Sequence, residues 1–263
     1  MSNPRFPAEL LDHTVDHLHS ERDALKNCCL VSKSWIPRAR KHLFADTEFQ
    51  TAADLQSWKT TFPDPSTSPA RYTKSLFVRC PPVARSSGAG EGDWIRTFSR
   101  VVHLEIEVGG GGGDYECLFQ FHGFSPVVKS FRLFSSPALP PLRLFNLICS
   151  FPLLEDLSLN TLKNFLTTEG DGPNGQLAAI QPSSIPIFTG SLGLYLTRGM
   201  GPIASRLLLL PNGLRFRKLD LTWEHEDDIA FTGELVGTCC STLEYLSITD
   251  HLIGTLVLRS RLH

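Results

Sequence analysis

The sequence predicts a mixed α/β protein, with a small three-helix unit followed by a curved α/β repeat solenoid of parallel strands. Three observations carry this. A short apolar-x-apolar segment recurs seven times between Leu76 and Ile248 at a near-constant period. Between these segments the apolar spacing changes from alternating to helical. At the start of the chain, three short runs at helical spacing follow one another. The implied organisation is a helical unit over 1–45, a helix and linker over 46–70, and a repeat domain over 71–263.

In the first segment, Pro7 suits a first helical turn, where its missing N–H costs nothing. Leu10, Leu11, Val15 and Leu18 then form one apolar stripe. Ser20 with Asp23 has capping-box spacing and starts a second helix through Ala24 and Leu25. Ser32 or Ser34 caps a third, carrying Trp35, Ile36, Ala39 and Leu43. Each helix is shorter than the roughly 12–15 residues an isolated helix needs. A unit of about 40 residues buries little on its own, so it is expected to lean on the rest of the chain or on another protein.

Phe6-Pro7-x-Glu9-Leu10-Leu11, then Val15-x-x-Leu18, then Cys29-Leu30-Val31-Ser32-x-x-Trp35 resembles the F-box motif. With Trp35-Ile36-Pro37-Arg38-Ala39-Arg40 the segment is similar to the F-box proteins numerous in mushroom-forming fungi. The resemblance covers about 40 of the 263 residues. Members of that family bind a Skp-type adaptor and dock through it on a cullin-RING ubiquitin ligase. The resemblance implies adaptor binding by Pro7, Leu10, Leu11, Leu18, Leu30, Val31 and Trp35, as contacts or as supports. Two positions depart from the family: Phe6 stands where Leu is usual, and Thr14 where an aliphatic residue is common.

Phe49, Leu55, Trp58 and Phe62 mark a fourth helix over Thr51 to Thr61, followed by a turn-rich linker from Phe62 to Pro69. The seven strand cores are Leu76–Val78, Leu104–Ile106, Phe131–Leu133, Leu157–Leu159, Leu192–Leu194, Leu219–Leu221 and Leu246–Ile248. Their first members are 28, 27, 26, 35, 27 and 27 residues apart. Val101, Val128, Leu154, Phe216 and Leu243 add a third apolar residue three positions earlier. This resembles the L-x-x-L-x-L core of an irregular leucine-rich repeat, though the Asn or Cys of the usual signature is mostly missing. The 35-residue gap absorbs an insertion at 169–175. Helical stretches are expected at 94–100, 115–121, 142–151, 204–210 and 228–239, three of them closed by Pro126, Pro152 and Pro211. The last repeat has almost no following helix, so Leu252 to Leu258 either forms an irregular final strand or marks a shortened repeat array.

Strand alternation sends the residues between the core positions to a concave face. Phe77, His103, Glu105, Arg132, Asp156, Lys218, Asp220 and Tyr245 are the candidate substrate-binding residues, with Lys74, Lys129, Glu155, Arg217 and Glu244 expected beside them. Seven strands give a face roughly 29 Å across, which suits a peptide or a protein surface better than a small metabolite.

The net charge of −2 and the mixed signs of this face argue against nucleic acid and an anionic membrane. No apolar run is long enough to span a bilayer, and no secretory leader is visible. The seven irregularly spaced cysteines read as free thiols of a reducing compartment, cytoplasmic or nuclear. His13 and His17 have i, i+4 spacing but lack a third ligand, and with Asp12 and Asp16 they read as a solvated helix face. Gly109–Gly113 lacks the Lys-Ser/Thr of a phosphate loop. Glu224 to Asp228 is a charge run that favours a helix start, and Arg38, Arg40, Lys41 and His42 complement a helix end. No catalytic residue, metal or cofactor is assigned.

The expectation is a non-enzymatic substrate-recognition subunit of an SCF-type ubiquitin ligase. Its partners would be a Skp-type adaptor, thereby a cullin scaffold, and a protein substrate not named by the sequence. The alternatives are a non-catalytic repeat scaffold whose helices cap the solenoid, and a shortened non-functional family member.

Overall fold

The computed structural model of the chain describes residues 7–80, 94–109, 116–135, 139–161, 185–196, 201–223, 227–250 and 254–256. Three helices open it: α1 (Ala8–His17), α2 (Arg22–Val31) and α3 (Ile36–Leu43). The Pro7 carbonyl starts α1 by accepting from the Leu10 and Leu11 amides at 3.1 and 3.3 Å. Neither expected serine cap forms. Backbone bonds close the α1–α2 turn, the Glu21 amide donating to the Leu18 carbonyl at 2.8 Å. Glu21 rather than Ser20 precedes α2, and Asp23 pairs with Lys26 at 2.8 Å. The Ser32 and Ser34 hydroxyls bond each other, and Trp35 leads into α3 with Pro37 in the first turn.

The helical unit closes a small core of its own. Val15, Leu25, Cys28 and Ala39 are buried, with Leu18, Cys29, Trp35 and Leu43 packed around them. An ion-pair clamp adds to this core. The Arg38 guanidinium grips both oxygens of Asp16, with Nε to Oδ1 at 2.6 Å, and the His42 Nε2 is 2.6 Å from the same Oδ1. Hydrogen bonds from Arg38 and then from His42 hold the Asp16 carboxyl well below the usual carboxylate range. This corrects two expectations. Asp16 is not an idle solvated acid, and Arg38 and His42 turn back onto α1.

A strand the sequence did not announce follows: β1 (Asp46–Phe49). Only Thr47 and Phe49 of it point inward, and one of those is a threonine. Its hydroxyl meets that of Thr73 at 2.9 Å. Thr73 is buried where most later repeats carry an apolar residue, so this hydroxyl pair replaces that contact. The seven expected strands all form: β2 (Ser75–Cys80), β3 (His103–Val108), β4 (Ser130–Ser135), β5 (Asp156–Thr161), β6 (Ser191–Leu196), β7 (Lys218–Trp223) and β8 (Tyr245–Asp250). They pair in sequence order, all parallel from β1 to β8. Leu76, Leu104, Phe131, Leu157, Leu192, Leu219 and Leu246 lie in one register line. A short β9 (Gly254–Leu256) pairs antiparallel to β8, within the stretch expected to form an irregular final strand.

The outer side of the arc departs from a uniform row of helices. α4 (Ala52–Thr61) starts with a complete capping box between Thr51 and Asp54. After β2 and β3 come short 3-10 helices, Ile95–Thr97 and Glu116–Phe121, in place of the α-helices expected there. The sequence supplies the reason. Ile95, Phe98 and Val101 are all buried at a spacing of three, as are Leu118, Phe121 and Phe124, and a 3-10 helix eclipses side chains at i and i+3. Leu144, Phe145, Leu147 and Ile148 instead follow the 3.6 period and bury one face of α5 (Pro141–Cys149). α6 (Gly201–Leu208) and α7 (Asp227–Cys239) complete the layer. One continuous core runs from Phe49 to Leu246. At its first end Phe49 stacks edge-on against Trp58, Trp94 and Phe98, with centroids 5.6–6.0 Å apart, which locks α4 onto the first coils.

The insertion at 169–175, Gly110–Gly113 and Glu224–Glu226 lie outside the described residues. Among those described, Cys28, Cys29, Cys117, Cys149, Cys239 and Cys240 are free thiols, and no helix is long and apolar enough to cross a membrane.

Candidate functional site

Parallel register builds the concave face row by row. One row runs Glu48, Phe77, Glu105, Arg132, Ser158, and then Gly193, Asp220 and Ser247. Six of the eight candidate substrate-binding residues come together. His103, Arg132, Asp156, Lys218, Asp220 and Tyr245 line one trough of about 720 Å³. Phe77 and Glu105 line a second hollow of about 870 Å³ toward β1 and α4.

The trough is internally braced. Asp156 Oδ1 accepts from the Ser191 amide and hydroxyl, both at 2.7 Å. Asp220 accepts from the Tyr195 hydroxyl at 2.7 Å. Burial, then this bond to a carboxylate, pushes the Tyr195 phenol up to about 12. Arg132 and Lys218 are exposed, and neither side chain makes an ion pair or hydrogen bond among the described residues.

Lys74, Lys129, Glu155, Arg217 and Glu244 do not share this floor. They sit two positions before a core residue, so strand alternation gives them its parity rather than that of the concave rows. Their backbones form a ladder just ahead of the strands, as in the Glu155 amide donating to the Lys129 carbonyl at 2.8 Å. Four of the five side chains pair with one another, Lys129 with Glu155 at 2.7 Å and Arg217 with Glu244 at 3.0 Å. Conversely, Tyr195, Phe134 and Asn160 line the trough without having been singled out. Applying the same parity to every residue of each strand finds them. Asp46 and Glu48 escaped because β1 escaped.

The second candidate site is on the helical unit. Leu30 and Val31 at the end of α2 are 85% and 69% exposed, and Leu10 on α1 is 52% exposed. Pro7 is exposed and Leu11 half-buried. Leu18 and Trp35 pack against the unit's core. The seven candidate adaptor-binding residues thus divide into open ones and supporting ones.

No family model matches the chain, and no curated protein matches it. Among solved structures it is similar to a Bacteroides fragilis protein determined by a structural-genomics consortium, at 12% identity and a TM-score of 0.44. That likeness covers 78% of this chain and 68% of the other, and at this score it carries no argument.

His13 and His17 bond each other through Nε2 at 3.0 Å, and among the described residues no group of three His, Cys, Asp or Glu side chains is placed to hold a metal ion. Burial pushes the Cys149 thiol up to about 12 and raises that of Cys239, the opposite of what a nucleophile needs.

Proposed function

We propose that the chain is the substrate-recognition subunit of an SCF-type cullin-RING ubiquitin ligase, working in the cytoplasm or nucleus. The observation that carries this reading is the exposure of Leu10, Leu30 and Val31 on a helical unit whose own core is already closed. Exposed apolar residues beyond those a closed core needs, such as the adjacent Leu30 and Val31, mark an interaction surface. It joins the resemblance of residues 6–44 to the F-box motif, whose partner is a Skp-type adaptor. The solenoid then offers its concave face to a protein substrate, as repeat arrays commonly do. Such a subunit performs no bond chemistry. It raises the effective concentration of substrate near the ubiquitin-transfer machinery.

The rival reading, helices that only cap the solenoid, draws on the pairing of β1 with β2 and the packing of α3 against Pro69–Tyr72. A cap has no use for open leucines. Capture of recombinant Skp-type adaptor by the purified chain separates the two. The receptor reading expects capture by wild type and its loss in Leu30→Asp/Val31→Asp. No capture by wild type, or equal capture by both, sinks it.

A further inference from the structure

The concave face is electrically polar along its length. Its β1–β3 end carries Asp46, Glu48 and Glu105, with Phe77 between the last two in register, and beyond them Arg79 is already paired with Glu107 at 2.8 Å. Among the described residues the Asp46 and Glu105 carboxylates make no ion pair or hydrogen bond, and the Glu48 carboxylate bonds only the Gln50 side chain. Its β4–β7 part carries the exposed cations Arg132 and Lys218. The carboxylates on the same part of the face, Asp156 and Asp220, are already accepting hydrogen bonds from Ser191 and Tyr195.

A half-buried aromatic ring flanked by two carboxylates is complementary to a cationic side chain. The ring takes the aliphatic stem and the cation, and the carboxylates take the charge. The Arg132 and Lys218 side chains farther along, without a partner among the described residues, are complementary to carboxylates. Neither nucleic acid nor an all-acidic peptide fits both ends, because Glu48 and Glu105 repel them.

We propose that this face binds an extended peptide segment with a Lys or Arg seated over Phe77 between Glu48 and Glu105, and an Asp or Glu reaching Arg132 or Lys218. The inference rests on the substrate-receptor reading and specifies what the receptor takes. Two strand spacings separate Phe77 from Arg132 and five separate it from Lys218, roughly 10 and 24 Å. At about 3.3 Å per extended residue, the acid lies roughly three or seven residues from the base.

The test uses the full chain and fluorescein-labelled Gly/Ser/Thr dodecapeptides carrying one Arg and one Glu, in both orders and at every separation. Anisotropy is expected to show at least tenfold tighter binding at separations near three or seven, in one chain order, than with adjacent charges. Glu48→Gln/Glu105→Gln should abolish that selectivity, and Glu48→Lys/Glu105→Lys should shift the preference to peptides with two acids. Arg132→Gln, two strands from Phe77, should abolish the optimum near three. Thermal melts followed by circular dichroism check that each variant is folded. Affinity indifferent to spacing, selectivity unchanged in folded Glu48→Lys/Glu105→Lys, or tighter binding of a labelled single-stranded oligonucleotide overturns the proposal. Adaptor capture is read on the same preparations. Capture without peptide selectivity sinks only this inference, and selectivity without capture sinks only the ligase reading.

Discussion

Tyr195 lies over Gly193 on the concave side of β6, so close that a Cβ on Gly193 would come within 2.9 Å of the ring's Cε2. The ring's hydroxyl meanwhile bonds Asp220 on the neighbouring strand. Glycine is therefore what allows this aromatic to reach across the trough. Gly193→Ala is expected to push the ring off its seat and break the bond, costing about 1–2 kcal/mol in urea unfolding. In a Tyr195→Phe background the same change should cost less, since the bond is already gone. An additive double-mutant cycle would disprove the coupling.

The two faces of α2 should respond oppositely to truncation. Leu25 is fully buried in the unit's core, while Leu30 is 85% exposed. Leu25→Ala is expected to cost about 2–5 kcal/mol, and Leu30→Ala to stay within about 0.5 kcal/mol. Local stability read by amide exchange at Ala39 would show this. A large loss in Leu30→Ala would mean that the residue packs within the chain and is not available to a partner.

Much of the solenoid was legible because its signal repeats. Seven strand cores share one inward pair at a fixed period, and one-residue slips would expose Leu76, Leu104 or Leu157, so register follows from pattern. β1 was illegible because its inward set is a threonine and a phenylalanine, and its pairing with β2 is tertiary. The 3-10 helices hid in plain view, in triads spaced by three rather than 3.6. Ser20 and Asp23 misled because a motif of four residues cannot report that backbone bonds close the turn and that Lys26 competes for the acid. In the trough, Arg132 and Asp220 followed from parity alone, but the Tyr195–Asp220 bond depends on neighbours 25 residues apart, which no local window contains.

Thiol reactivity offers a check on packing. Cys240 is exposed one residue after the buried Cys239. Among the described cysteines, Cys240 is expected to react first with an alkylating reagent at pH 8, with Cys149 and Cys239 protected until the chain unfolds. Mass spectrometry of timed samples distinguishes them. Early labelling of Cys149 would show that α5 opens locally or is packed differently.

The Asp16 clamp has a pH signature whose sign can be fixed in advance. Arg38 and His42 depress the carboxyl's pKa in the folded chain from its ordinary 3.8. A depressed acid favours the folded state above the ordinary pKa, because the unfolded chain binds the proton more readily. The contribution is then lost as pH falls from about 3.8 through the depressed value. Asp16→Asn removes it at every pH. The difference in protection of Leu25 and Ala39 between wild type and Asp16→Asn should therefore be present at about pH 5 and shrink as the pH falls below the ordinary 3.8. Arg38→Gln should mimic the variant at neutral pH. Each partner is about two-thirds buried and the guanidinium grips both oxygens, so the difference should survive moderate salt better than that of the exposed Asp23–Lys26 pair. A difference that grows as the pH falls below the ordinary 3.8 would mean that Asp16 is not held ionised by α3, and the clamp would no longer explain how so small a core keeps α1 in place.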